Sequence, residues 1–147
     1  MDDVADDALT QMVHASVPIL GAMGLRVIEA SSTHAVAVLP YDTNRNHVGT
    51  TYAGSLYSVG EMLGGLIGLS MGLEGFAPVV RHMEIDFIAP ARSDVRAEAS
   101  LTPDEVAGIT RLALAEGKAG FLLDATITDS EGTVVARTRG DYQLRRF

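Results

Sequence analysis

Residues 54–73 contain one charged side chain, Glu61, and six glycines, at positions 54, 60, 64, 65, 68 and 72. The remaining residues are mostly Leu, Met, Ile, Val and Ser, a composition that predicts a long apolar helix. Such a helix is intrinsically poor, because each interior glycine costs about 1 kcal/mol relative to alanine. The loss is offset only if the missing side chains let another backbone approach closely. A curved sheet wrapped tightly around this helix meets that requirement. The length is also that of a membrane-spanning helix, and Gly60, Gly64, Gly68 and Gly72 form a small-xxx-small stripe. A carboxylate in mid-segment is costly in lipid, however, and the flanking chain reads as an amphipathic sheet. A buried core helix with no membrane partner is therefore expected.

Residues 5–22 read as a helix, broken at Pro18 and ended by Gly21 and Gly24. Residues 25–39 alternate as a strand or hairpin, and residues 40–51 form a polar loop. A strand over 78–89 places Met83, Ile85 and Phe87 on one side and His82, Glu84 and Asp86 on the other, until Pro90 stops it. Alternation returns at 94–101. Thr102-Pro103-Asp104-Glu105 is a capping box with proline in the first turn, so a helix starts there and runs to Gly117. Strands over 119–128 and 133–144 are joined by the turn Asp129-Ser130-Glu131-Gly132. The order α-β-α-β-β-α-β-β is an α+β layer with a mostly antiparallel sheet. One domain over 1–147 is expected, with 1–14 and 145–147 at its periphery.

The net charge of −8 and pI near 4.8 argue against nucleic acid as a partner. A phosphate-bearing ligand would need a local cluster drawn from ten arginines and Lys118. Cysteine is absent, which removes disulfides and thiol chemistry. The acidic start, with Asp2, Asp3, Asp6 and Asp7, lacks the basic region of a secretory signal, so a cytoplasmic location is expected. With 47% apolar residues and a mean hydropathy of +0.19, a globular fold with buried subunit contacts is expected.

The stretch Asn46-His47-Val48-Gly49-Thr50-Thr51-Tyr52-Ala53-Gly54 leads into the apolar helix. The first N–H groups of a helix lack intrahelical partners and, with the helix dipole, favour negative charge. A carbonyl oxygen becoming an oxyanion would be stabilised there. Ala53 and Gly54 have no side chain to block it. Asn46 offers an amide nearby, or else stabilises its own turn. Glu61 lies seven residues beyond Gly54, on the same helix face but about 10 Å along the axis. One carbonyl cannot touch both in one chain, so joint action needs two subunits with antiparallel helices. The alternative for Glu61 is a buried acid paired with an arginine. Gly68-Leu69-Ser70-Met71-Gly72 spells G-x-S-x-G, but deep in a helix rather than at a strand-to-helix turn. The four histidines lack metal-ligand spacing, so no metal is expected. His82 lies on the polar side of its strand, where it could reach a site or remain an ordinary surface residue.

Asn46-x-x-Gly49-x-x-Tyr52-Ala53-Gly54 followed by Glu61 resembles the acyl-CoA thioesterase pattern N-x-x-G-x-x-H-G-G with an acid nine residues after the histidine. Met83 to Ala91 resembles the following strand of that family, and the helix over 103–116 is most similar to YiiD-type and PaaI-like thioesterases. The resemblance covers residues 15–144 and implies the hotdog fold: an antiparallel sheet around a long central helix, with an extra helix between strands. It implies an acyl-CoA thioesterase without cofactor, acting as a homodimer or dimer of dimers (a homotetramer). Asn46 would orient the thioester or the water, and the Ala53 N–H would polarise the carbonyl. Glu61 of a second subunit would be base or nucleophile. Tyr52, Gly54, Arg81, His82 and Arg92 would contact substrate. Tyr52 stands where the family often has histidine, and Ala53 where it has glycine. A non-catalytic acyl or small-ligand binding protein, or a scaffold, is the alternative.

Overall fold

The computed structural model of the protein describes residues 4–147; Asp2 and Asp3 lie outside the described residues. The chain runs α1 (Asp7–Ser16), α2 (Pro18–Ala22), β1 (Arg26–Ala30), β2 (His34–Leu39), α3 (Tyr41–Asn44), α4 (Ala53–Ser70), β3 (Phe76–Phe87), β4 (Val95–Ser100), α5 (Pro103–Glu116), β5 (Lys118–Thr128) and β6 (Val134–Arg146). The strands form one antiparallel sheet in the order β1-β2-β4-β5-β6-β3, and α4 packs against its strands. This is the hotdog fold expected from the sequence.

Local chemistry accounts for most element ends. The first helix stops at Val17, because Pro18 cannot continue it and instead opens α2. The stretch 25–39 is a hairpin, with β1 paired to β2. In α5 both halves of the capping box form: the Glu105 N–H donates to Thr102 Oγ1 and the Thr102 N–H to Glu105 Oε1, each at 3.1 Å. Gly117 ends that helix at φ +79°. The loop expected over 40–51 contains the short helix α3, an element the sequence reading missed. It is fixed from outside, because the buried Asn44 amide donates to the carbonyls of Met23 and Pro40, both at 2.8 Å.

Three helix glycines explain how the sheet approaches. A Cβ on Gly60 would lie 2.7 Å from Thr138 Cγ2, and one on Gly68 would lie 2.7 Å from Pro78 Cβ. A Cβ on Gly64 would collide with the Tyr142 ring, which also fills the space above Gly140. Tyr142 stacks on Phe121 with ring centres 5.4 Å apart, and its hydroxyl donates to the Glu61 carbonyl at 2.7 Å. Gly65 differs: among the described residues nothing lies within 4 Å of the position its Cβ would occupy.

Of the ends expected at the periphery, α1 carries Val13 in the core and a buried Thr10, whose hydroxyl accepts from the Val27 N–H at 2.9 Å. Arg145 and Arg146 complete β6 and are exposed. No helix among the described residues is long and apolar enough to cross a membrane.

Candidate active site

The loop before α4 is built by Asn46. Its Oδ1 accepts from the N–H groups of Val48 (3.0 Å) and Thr50 (3.1 Å), and its Nδ2 donates to Thr50 Oγ1 at 2.9 Å. Gly49 supplies the left-handed turn at φ +79°, and the Tyr41 hydroxyl donates to its carbonyl at 2.7 Å. The Thr51 N–H donates to the Ala91 carbonyl, pinning the loop to the segment after β3. The Tyr52 carbonyl accepts from Ser55 and Leu56. Ahead of them, the N–H groups of Ala53 and Gly54 have no hydrogen bond among the described residues. The Tyr52 ring leans over Gly54, where a Cβ would lie 2.6 Å from its Cε2.

A cavity of about 320 Å³ opens at this helix start. Asn46, Thr50, Thr51 and Ala53 line one side, and Phe87 to Ala91 the other. Sequence reasoning missed Thr51. Its side chain is buried and its Oγ1 has no hydrogen-bond partner among the described residues. A buried hydroxyl left unpaired costs on the order of 1–3 kcal/mol. No pattern flagged it, because its burial comes from contacts made across the fold.

Glu61 does not line this cavity. It opens instead into a second, larger one of about 510 Å³, between α4, the two N-terminal helices and the start of β3. The rest of that lining is chiefly apolar, including Val13, Val17, Leu66 and Leu69. Burial pushes the Glu61 carboxyl above the usual carboxylate range, and no cation pairs with it among the described residues. Burial and the nearby Glu61 likewise hold the Tyr142 hydroxyl well above its ordinary range, so it remains a donor.

The structure thus gathers Asn46 and Ala53 around one cavity, with Tyr52 and Gly54 at its helix start, and sets Glu61 apart in another. Arg81, His82 and Arg92 line neither. Arg81 occupies a bulge in β3, His82 is exposed and 3.5 Å from Glu84, and Arg92 lies exposed beyond the strand. Met83 and Ile85 are half-buried on the side expected, but Phe87 is exposed and belongs to the cavity wall. The Ser70 hydroxyl donates to the Leu66 carbonyl within the last turns of α4, far from nucleophile-elbow geometry. No group of residues suited to a metal ion occurs among the described residues.

Known structures share this architecture. A Pseudomonas aeruginosa protein of unknown function, designated "Probable Thioesterase", is 29% identical over 98% of this chain and 97% of its own, with a TM-score of 0.87. A Chlorobaculum tepidum protein of unknown function is 22% identical over the full length of both chains, with a TM-score of 0.85. A Haemophilus influenzae thioesterase is 18% identical over 95% of this chain and 90% of its own, with a TM-score of 0.75. No curated protein matches the chain. The family profile described as "Domain of unknown function (DUF4442)" matches residues 5–144. With nearly the whole sequence inside that profile and the thioesterase hotdog architecture around it, the chain belongs to the DUF4442 family.

Proposed function

We propose that this protein is an acyl-CoA thioesterase whose site is completed across a homodimer. One observation carries the reading. A half-buried carboxylate, Glu61, sits on the same helix as the N–H groups of Ala53 and Gly54, yet about two turns away. Among the described residues the carboxylate has no cation and the two N–H groups have no hydrogen-bond partner. A second copy with its central helix antiparallel would bring the two halves together. β3 is an edge strand with Val80 and Phe87 exposed, which suits pairing with that copy; a dimer of dimers is compatible with the same surface.

In this reading the thioester carbonyl accepts from the Ala53 N–H at the helix start of one copy. Glu61 of the other removes a proton from water, whose oxygen attacks the carbonyl carbon. The tetrahedral oxyanion stays on the N–H donors and collapses by breaking the C–S bond. The proton held by Glu61 passes to the departing CoA sulfur. A carboxyl raised by burial is a stronger base than an exposed one; direct attack by Glu61 on the carbonyl would use the same placement. Asn46, bonded in its own turn, holds the loop that presents these donors.

The test is thiol release from short, long and aryl acyl-CoAs by wild type and Glu61→Gln. Turnover that disappears in the variant supports the hydrolase. Absence of turnover with every ester refutes it. The second reading, a ligand-binding protein without catalysis, is favoured by the Tyr52 ring covering Gly54, and predicts Glu61→Gln to bind acyl-CoA as well as wild type.

A further inference from the structure

Gly65 is a helix glycine that close packing does not explain. Gly60, Gly64 and Gly68 each face a side chain of the sheet, whereas Gly65 faces open space. That space is the floor of the 510 Å³ cavity into which Glu61 opens. Glu61, Gly65 and Leu69 follow one another at intervals of four along one side of α4, so they line a single groove. Val13, Val17 and Ile19 wall it from the N-terminal helices. A pocket of this size, chiefly apolar with one carboxylate and the hydroxyls of Ser16 and Ser58, has the composition of a small-ligand site.

Resting on the thioesterase reading, we infer that this groove holds the acyl chain and that Gly65 sets the length it accepts. The carbonyl end lies beside Glu61, and the chain runs over the bare Gly65 backbone towards Leu69. From Glu61 to Leu69 is about 12 Å along the helix, a distance spanned by roughly ten carbons of an extended aliphatic chain. The class of substrate is therefore a medium-length aliphatic thioester. A second copy is the competing occupant. The composite site, however, brings the Ala53–Gly54 turn of that copy to Glu61; Ala53 and Gly54 carry little side chain to fill a groove, and the neighbouring Tyr52 ring is folded over Gly54.

The test is titration of the full-length protein with S-alkyl-CoA thioethers from butyl to hexadecyl, which need no turnover, alongside thiol release from the matching esters. Wild-type affinity should rise with length up to about ten carbons and then level off. In Gly65→Leu the plateau should come at about five carbons, with decyl binding weakened at least about tenfold and butyl binding kept. Ile19→Asp, a change on an exposed part of the wall, should weaken decyl over butyl in the same direction and serves if Gly65→Leu does not fold. An unchanged length profile in a folded Gly65→Leu overturns the groove and leaves the hydrolase standing. Gly65→Leu that turns a dimer into monomers also overturns it, since a second copy then covers the site. Length-dependent thioether binding without any thiol release supports the groove and removes the hydrolase.

Discussion

The two sides of α4 solve opposite problems with the same residue. On the side towards the sheet, glycines at 60, 64 and 68 remove bulk so that Thr138, Tyr142 and Pro78 can occupy it. On the far side, Gly65 removes bulk and nothing enters. The first side converts an unfavourable helix composition into contact, which is why so glycine-rich a segment forms 18 residues of helix. Gly65 gains no packing among the described residues. On that side Glu61 is half-buried with no cation beside it among the described residues, and burial raises its pKa. Missing side chains therefore mean closeness on one side of the helix and vacancy on the other, and only the vacancy lies beside a candidate base.

Substitutions can break this contrast or sharpen it. The largest effect is expected at Glu61. Glu61→Gln should lower acyl-CoA turnover by about 10²–10⁴-fold, the usual worth of a positioned base, as read by steady-state thiol release. The same variant should be no less stable than wild type. With its folded pKa raised, Glu61 favours the fold fully below its unfolded pKa, and that contribution is lost as pH rises through the folded value. Denaturant midpoints from acid to neutral pH should accordingly fall less in Glu61→Gln; an equal slope would show that burial does not govern this carboxyl.

Next in size is Gly64→Ala, which drives a methyl into the Tyr142 ring and should destabilise by about 1–3 kcal/mol in urea unfolding. Gly65→Ala should do the reverse, stabilising by up to about 1 kcal/mol because its methyl meets nothing. Equal effects at 64 and 65 would dissolve the distinction between the two sides. Thr51→Val, which replaces an unpaired buried hydroxyl with a methyl, should be neutral or stabilising by about 1 kcal/mol. Loss of turnover in that folded variant would instead show that the hydroxyl serves the substrate. The smallest effect is a pH dependence away from the helix. His34, between Glu29 at 2.9 Å and Glu98 at 3.1 Å, has its pKa raised, first by the hydrogen bond to Glu29. Its contribution is complete below its ordinary value and lost as pH rises through the raised one, so His34→Gln should flatten the stability profile above the ordinary histidine pKa.

Much of this was legible in the residues themselves. The α5 capping box, the alternation of β4 and β5 and the glycine-rich helix are local patterns, and local patterns survive without knowledge of neighbours. Glu61 stood out because a charge in an apolar helix is rarely idle. The rest depends on what comes to lie opposite. Nothing in the sequence separates Gly64 from Gly65, since only the arrival of Tyr142 makes one a contact and the other a gap. α3 is held by Asn44 bonds to distant carbonyls, and Thr51 is buried by the loop's attachment to Ala91. Phe87 continues an inward alternation yet is exposed, because it ends β3 at the wall of the cavity beside the start of α4.

The link between Tyr142 and the helix bears on how such chains diverge. Its ring occupies the room left by Gly64 and Gly140, while its hydroxyl bonds the carbonyl of Glu61, 81 positions earlier in the chain. A larger residue at 64 or 140 is admissible only with a smaller one at 142, and a smaller one at 142 gives up the bond to the residue that carries the carboxylate. These positions are therefore bound to change together or stay as they are. Position 65 carries no such tie, and is free to drift with whatever the groove must hold.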